Sequence, residues 1–352
     1  MWRRTGTPKG GFDYFSADDA PIRDEESLAR IRSLAIPPAW TEVRIAPAAG
    51  AKVQAVGIDT AGRRQYIYNP SFVRGNARRK FRKLIPFARS LPQLRRITNQ
   101  HLQQDGLGRE KVLATVVRLM VRAFFRVWSE RYAVQNRTFG IATLEKGHLT
   151  IEGRSLVFCY RGKSSVDQRR VVAATPLVEI IRELLELPGE RLFRYVDQDG
   201  TVRDVTSQEV NRYVKEILGE RYTSKDIRTW GGTVRAATIL ADLGPAKSKR
   251  EAERNVVLTC KLVSSELGNT PSVCRSAYIH PAVIEKYMRG QTIDRVMRKT
   301  PRPVEAESPV DYYEEEAALM RFLEGGAAAR RRTDESRRRK DAKEREGIAP
   351  GS

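Results

Sequence analysis

The apolar pattern of this chain changes its period near residue 76, from two residues to the helical repeat of about 3.6, and that change sets the fold class. Before it, short alternating segments predict strands: Thr41–Ile45, Val53–Asp59 and Arg63–Pro70, the last two joined by a turn over Asp59–Gly62. In the returning strand Tyr66 and Tyr68 stand two apart and so share a face. After it, Leu113, Val116, Val117, Met120, Phe124 and Val127 recur at helical spacing and predict a central core helix over Lys111–Trp128. A strand-rich insert follows: Thr138–Leu144 and Leu149–Ile151 alternate, and Ser155–Tyr160 leads through the turn Arg161–Ser164 to Asp167–Val172. Helices then dominate, over Thr175–Leu187, from the capping box at Thr206–Glu209 to Leu218, over Asp226–Ala241 and over Ala252–Leu267. The expected architecture is α+β: a small N-terminal antiparallel β-rich domain over 1–78 and a larger, mainly α-helical domain with a β-hairpin insert over 79–326. The remainder, 327–352, is charge-rich and poor in apolar residues, so a disordered basic tail is expected there.

The charge narrows the partner. A formal charge of +21 points to a polyanion, most simply nucleic acid. No apolar run is long enough to span a bilayer, and Met1–Gly6 lacks the apolar stretch of a secretory signal, so no membrane association is expected. Cys159, Cys260 and Cys274 are too scattered for a disulfide framework or a zinc site, which favours a reducing compartment. His101, His148 and His280 form no ligand spacing with them. The expectation is a cytoplasmic, nucleoid-associated protein with neither metal nor cofactor.

One stretch carries most of the chemistry. Gly268 is placed to close a helix, Thr270 to cap the next and Pro271 to occupy its first turn, so Thr270–Tyr278 predicts a short helix broken by His280-Pro281, with another helix beginning at Val283. A tyrosine at the end of such a helix, in so basic a chain, is a candidate nucleophile for a DNA phosphodiester; the alternative is a packing residue. A tyrosine attack needs cationic donors on the phosphate oxygens and a proton for the leaving oxygen, because a free phenol has a pKa of about 10. Arg126 and Arg228 lie in apolar, ordered-looking segments, and Lys163 sits at a hairpin tip. Gly162-Lys163-Ser164 matches the end of a nucleotide-binding loop, but Val157 stands where that loop requires glycine. The basic run Arg74–Lys83, with Arg78 and Arg79, reads as a phosphate-contacting face.

Taken in order, these segments resemble the type IB DNA topoisomerases of the small bacterial and poxvirus class, over roughly residues 20 to 290. The matching stretches are Ile36-Pro37-Pro38-Ala39-Trp40, Gly57 to Tyr68, Phe125-Arg126-Val127 with Tyr132, Tyr160-Arg161-Gly162-Lys163, Lys225 to Trp230, and Gly268 to Tyr278. Trp128 and Ser129 depart from the glycine-containing pattern that usually follows the first arginine. The resemblance implies that Tyr278 attacks phosphorus to give a 3′-phosphotyrosyl link, that Arg126 and Arg228 stabilise the phosphorane, that Lys163 is the general acid and that Asn269 bonds a non-bridging oxygen. Viral members carry histidine at that last place; an asparagine amide donates a hydrogen bond but carries no charge. It further implies DNA contacts from Gln65, Tyr66, Tyr68, Arg78, Arg79, Tyr132 and Lys225, a monomer closing on double-stranded DNA as a C-shaped clamp, and relaxation without ATP. Two other readings stay open from sequence: a tyrosine recombinase, whose usual His-x-x-Arg box is here Lys225-Asp226-Ile227-Arg228, and a non-catalytic DNA-binding protein, which the charge would suit equally.

Overall fold

The computed structural model describes residues 1–127, 137–162, 165–173, 175–293 and 313–325. The chain divides into two compact units, Met1–Arg82 and the residues from Lys83 onward. The division falls beyond residue 78 because one helix, Pro70–Arg82, carries the basic run to its end.

The first unit is a five-stranded antiparallel sheet in the order β2-β1-β3-β4-β5, with β1 Trp2–Thr7, β2 Gly11–Phe15, β3 Thr41–Ile45, β4 Val53–Ile58 and β5 Arg64–Tyr68. Helix α1, Glu25–Ser33, is capped by Asp24, whose carboxylate accepts from Ser27 N at 2.8 Å. Its Ile31 joins Val43, Ile45 and Ala55 in a small core, covered by Trp2, Tyr14, Trp40 and Ile67. Gly57 is required there, since a Cβ at that position would fall 2.9 Å from the Trp40 ring. Helix α2, Pro70–Arg82, follows β5. The strands β3, β4 and β5 lie where alternation placed them. Strands β1 and β2 were not anticipated, because β1 reads Trp-Arg-Arg-Thr-Gly-Thr and shows little apolar alternation. Its arginines are accommodated instead by stacking, Arg4 over Phe12 and Arg3 over Phe15.

The second unit is mainly helical. Helix α3, Leu84–Leu102, packs on α4, Arg109–Ala123, and α4 is buried continuously from Lys111 to Met120. The predicted core helix therefore exists, but it ends at Ala123 rather than Trp128. Phe124 takes a left-handed conformation (φ 54°), its N–H closing on Met120 O, so Arg126 lies beyond the helix and not on its surface. Residue 128 lies outside the described residues. The strand expected over Thr138–Leu144 is also absent. Ile141–Thr143 form a tight 3₁₀ turn held by Thr143 Oγ1, which bonds Gly140 N at 3.0 Å, and the alternation there reflects burial of a loop.

The hairpin insert is a three-stranded sheet, β6 Leu149–Glu152, β7 Ser155–Arg161 and β8 Asp167–Ala173, in sequence order. After it come α5 Thr175–Glu186, the small unanticipated hairpin β9 Arg194–Val196 with β10 Val202–Asp204, and α6 Ser207–Leu218. The Thr206–Glu209 capping box opens α6 as the sequence indicates. Then come α7 Ser224–Leu243, α8 Lys249–Leu267, α9 Pro271–Ala277 and α10 Pro281–Tyr287. The N-terminus of α7 is fixed by buried Asp226, which accepts from Thr223 N at 2.9 Å and pairs with Lys83 at 2.7 Å. A last helix, 314–325, is tied to the core through Glu316. That carboxylate is buried against Arg95 at 2.7 Å and also accepts from the Trp230 indole at 3.1 Å. The basic tail expected over 327–352 lies outside the described residues. Among the described residues no helix is long and apolar enough to cross a membrane.

Candidate active site

Three chain reversals in the second unit bring the site together: the left-handed turn after α4, the α8–α9 junction, and the first turns of α7. Arg228 projects from α7 and is almost fully buried. Its Nη1 donates to Phe124 O and its Nη2 to Leu267 O at 2.9 Å, so one guanidinium caps the C-terminal carbonyls of both α4 and α8. Gly231 leaves room for the Phe124 ring beside α7, since a Cβ there would fall 2.1 Å from it.

Arg126 is half-buried just past the α4 turn, and its Nη2 donates to Gly268 O at 2.6 Å and to Asn269 Oδ1. Gly268 is left-handed (φ 63°), as its role of closing α8 requires. Thr270 caps α9, and Tyr278 ends it. Tyr278 is held from behind by α7: Thr233 Oγ1 donates to Tyr278 O at 3.1 Å and accepts from His280 N at 3.2 Å. Gly232 permits this approach, since a Cβ there would lie 3.0 Å from Tyr278 O. The Arg228 guanidinium lies over the Tyr278 ring at 5.3 Å, and Tyr278 is close enough to Arg126 to act on its charge as well.

The electrostatics of this cluster are one-sided. Burial lowers the pKa of Arg126 and of Arg228; Tyr278 opposes the shift, while the neighbouring arginines add to it by repulsion. Among the described residues no carboxylate pairs with either guanidinium, nor with Arg170, the buried arginine of β8 that lines the same pocket. Arg228 Nε and the Asn269 amide Nδ2 are buried without a hydrogen-bond partner among the described residues. Buried cations and donors left unmatched in this way are costly unless an anion completes them, and a phosphodiester is an anion with two free oxygens. A larger cleft of about 330 Å³ shares Phe124 with this pocket, but Glu266, Glu315 and Glu316 line it and make it unsuited to phosphate. Among the described residues no His/Cys/Asp/Glu cluster could hold a metal ion.

The structure thus brings Arg126, Arg228, Asn269 and Tyr278 together: the two arginines line one pocket, Asn269 accepts from Arg126, and the Tyr278 ring lies under Arg228. Lys163 and Tyr132 lie outside the described residues. Lys225 is exposed on the first turn of α7. In the first unit Tyr66 and Tyr68 are both exposed and stack at 5.9 Å, with Phe72 adjoining Tyr68 at the same separation. Gln65 alternates to the other face of β5 and donates to Asp59 at 2.8 Å. Hydrogen bonds from the Arg63 backbone and side chain, with a smaller one from Gln65, hold that aspartate well below the usual carboxylate range. Arg78 and Arg79 are exposed on α2. Sequence reasoning missed Thr233, Gln168 and Arg170. The Gly231-Gly232 pair inside a helix was the available signal for Thr233, because paired glycines in a helix mark a close approach.

Comparison with known proteins identifies the family. The family model described as the eukaryotic DNA topoisomerase I catalytic core matches residues 69–302, and the bacterial DNA topoisomerase IB N-terminal domain matches residues 11–59. DNA topoisomerase 1B of Acanthamoeba polyphaga mimivirus is 29% identical over 286 residues, covering 79% of this chain and 85% of the relative. DNA topoisomerase 1B of vaccinia virus (strain Copenhagen) is 24% identical over 254 residues, covering 70% and 76%. The chain belongs to the type IB DNA topoisomerases, isomerases that act on DNA.

Proposed function

We propose that this protein relaxes supercoiled double-stranded DNA by reversible cleavage of one strand at Tyr278. The phenolic oxygen attacks the scissile phosphorus, losing its proton, and the bond from phosphorus to the 5′ oxygen breaks. The 3′ phosphate is then esterified to Tyr278, and the departing 5′ oxygen receives a proton to become a hydroxyl. One phosphodiester has replaced another, so resealing runs the same step backward and needs no ATP. Strand rotation between the two steps removes supercoils.

Arg126 and Arg228 stabilise the charge that builds on the non-bridging oxygens, and the free Asn269 Nδ2 donates to one of them. Lys163 supplies the proton for the 5′ oxygen, and Tyr66, Tyr68, Arg78, Arg79, Tyr132 and Lys225 contact the duplex. No step requires a metal, and a monomer suffices. The observation that carries this reading is the Arg228 guanidinium over the Tyr278 ring, with Arg126 held on the adjoining Gly268–Asn269 turn and no carboxylate paired with either arginine among the described residues. The test is relaxation of a supercoiled plasmid in chelator without ATP, with the covalent adduct trapped on a nicked duplex. Relaxation by Tyr278→Phe, or an adduct carried on a 5′ phosphate, overturns the mechanism.

A further inference from the structure

Arg170 has no part in the chemistry above, yet it lies in the same pocket. It occupies an inward register position of β8, between exposed Arg169 and Val171, where an apolar residue would be the ordinary choice. Burying a guanidinium there costs desolvation that no carboxylate among the described residues offsets. Its Nη2 donates to Gln168 Oε1 at 2.6 Å, buried Tyr160 lines the same pocket, and its Nε has no partner among the described residues. Gln168 Oε1 in turn sits directly over Gly268, 2.5 Å from where a Cβ would be. Gly268 O and Asn269 Oδ1 are the two acceptors that hold Arg126. A continuous line of contacts therefore runs from Arg170 through Gln168 and the Gly268–Asn269 turn to Arg126.

We infer that Arg170 is a positioning residue for strand cleavage: through Gln168 it fixes the Gly268–Asn269 turn and so sets the aim of Arg126 and of the Asn269 amide. The inference rests on the reading of Tyr278 as nucleophile. Tyr160, stacked on buried Phe125 at 5.9 Å, is a fixed wall of the pocket that Arg170 also lines, so the buried guanidinium has little room to leave Gln168. A purely structural arginine would be needed for folding but indifferent to the step rate once the protein is folded. A positioning arginine affects the chemical step itself, because a misplacement of about 1 Å costs on the order of 100-fold in rate.

The experiment measures single-turnover cleavage of a nicked duplex at saturating protein for the parent, Arg170→Met, Arg170→Lys, Gln168→Ala and the Arg170→Met/Gln168→Ala double variant. Thermal midpoints are measured alongside, and duplex affinity is measured in the Tyr278→Phe background. Arg170→Met is expected to cleave at least about tenfold more slowly with unchanged affinity. Arg170→Lys should recover part of the rate, and the double variant should be no slower than the slower single one, since both break the same line of contacts. A folded Arg170→Met that cleaves at the parental rate overturns the inference, as do losses that multiply in the double variant or that lie wholly in affinity. If Arg170→Met does not fold, Gln168→Ala decides: parental cleavage there overturns the inference and slowed cleavage supports it. A parent that forms no Tyr278-dependent adduct overturns the nucleophile reading itself, before any Arg170 variant is tested.

Discussion

The exposed edge of the first unit and the pocket of the second are made from the same residue types, arginine and tyrosine, yet their physical situations are opposite. On β5 and α2, Tyr66, Tyr68, Arg78 and Arg79 stand in solvent. There each charge is solvated, each contact is replaceable, and the surface can do no more than attract and align a polyanion. In the pocket, Arg126 and Arg228 are withdrawn from water, bonded to backbone carbonyls and left without carboxylates. Donors fixed in that way act on charge that develops during a reaction, because nothing need reorganise when it appears. On the proposed reading, side-chain identity alone does not separate binding from catalysis here; burial and the choice of partner do.

Substitutions in the pocket should therefore be severe and affect rate, whereas substitutions on the edge should be mild and affect affinity. The largest effect is expected from Arg228→Ala, with single-turnover cleavage falling by about 10²–10³-fold or more. Arg228→Lys should recover little, since an ammonium cannot reach both Phe124 O and Leu267 O as the guanidinium fork does. Glu316→Ala, which takes the carboxylate away from buried Arg95, should cost about 3–5 kcal/mol of stability in denaturant unfolding. Gly268→Ala should cost about 1–2 kcal/mol from its left-handed backbone alone, and slow cleavage as well by displacing Gln168. Smallest of all, Arg78→Ala should lower the salt slope of duplex binding by about one while leaving cleavage at saturation unchanged. A cleavage defect in Arg78→Ala at saturation, or an affinity defect alone in Arg228→Ala, would erase the distinction between the two regions.

The parts legible in the sequence were those that local rules govern. The capping box at Thr206–Glu209, the Gly268 stop and the Thr270-Pro271 start are each enforced by nearest neighbours, and all three elements lie where those residues put them. Strands β3, β4, β5, β7 and β8 followed from alternation against a core. What escaped was set by distant contacts. The α4 helix stops at Ala123 because Phe124 turns left-handed to meet Gly231 and Arg228, and nothing in the apolar spacing around Phe124 encodes that. Strand β1 escaped because its arginines are neutral to pattern but not to stacking. Within the site, Tyr278, Arg126, Arg228 and Asn269 could be named from their segments, whereas Arg170 and Gln168 became visible only once the β7–β8 register showed which way each faces.

Under the proposed mechanism Arg228 is at once a fastener and a tool. Its guanidinium closes the ends of two helices while it faces the tyrosine that would react. A lineage abandoning DNA cleavage could discard Tyr278 by losing a single oxygen atom, with the architecture intact. To discard Arg228 it would first have to find another way to close α4 and α8. Of the two marks of the chemistry, the arginine should outlast the tyrosine in any descendant that keeps this shape after its activity has gone.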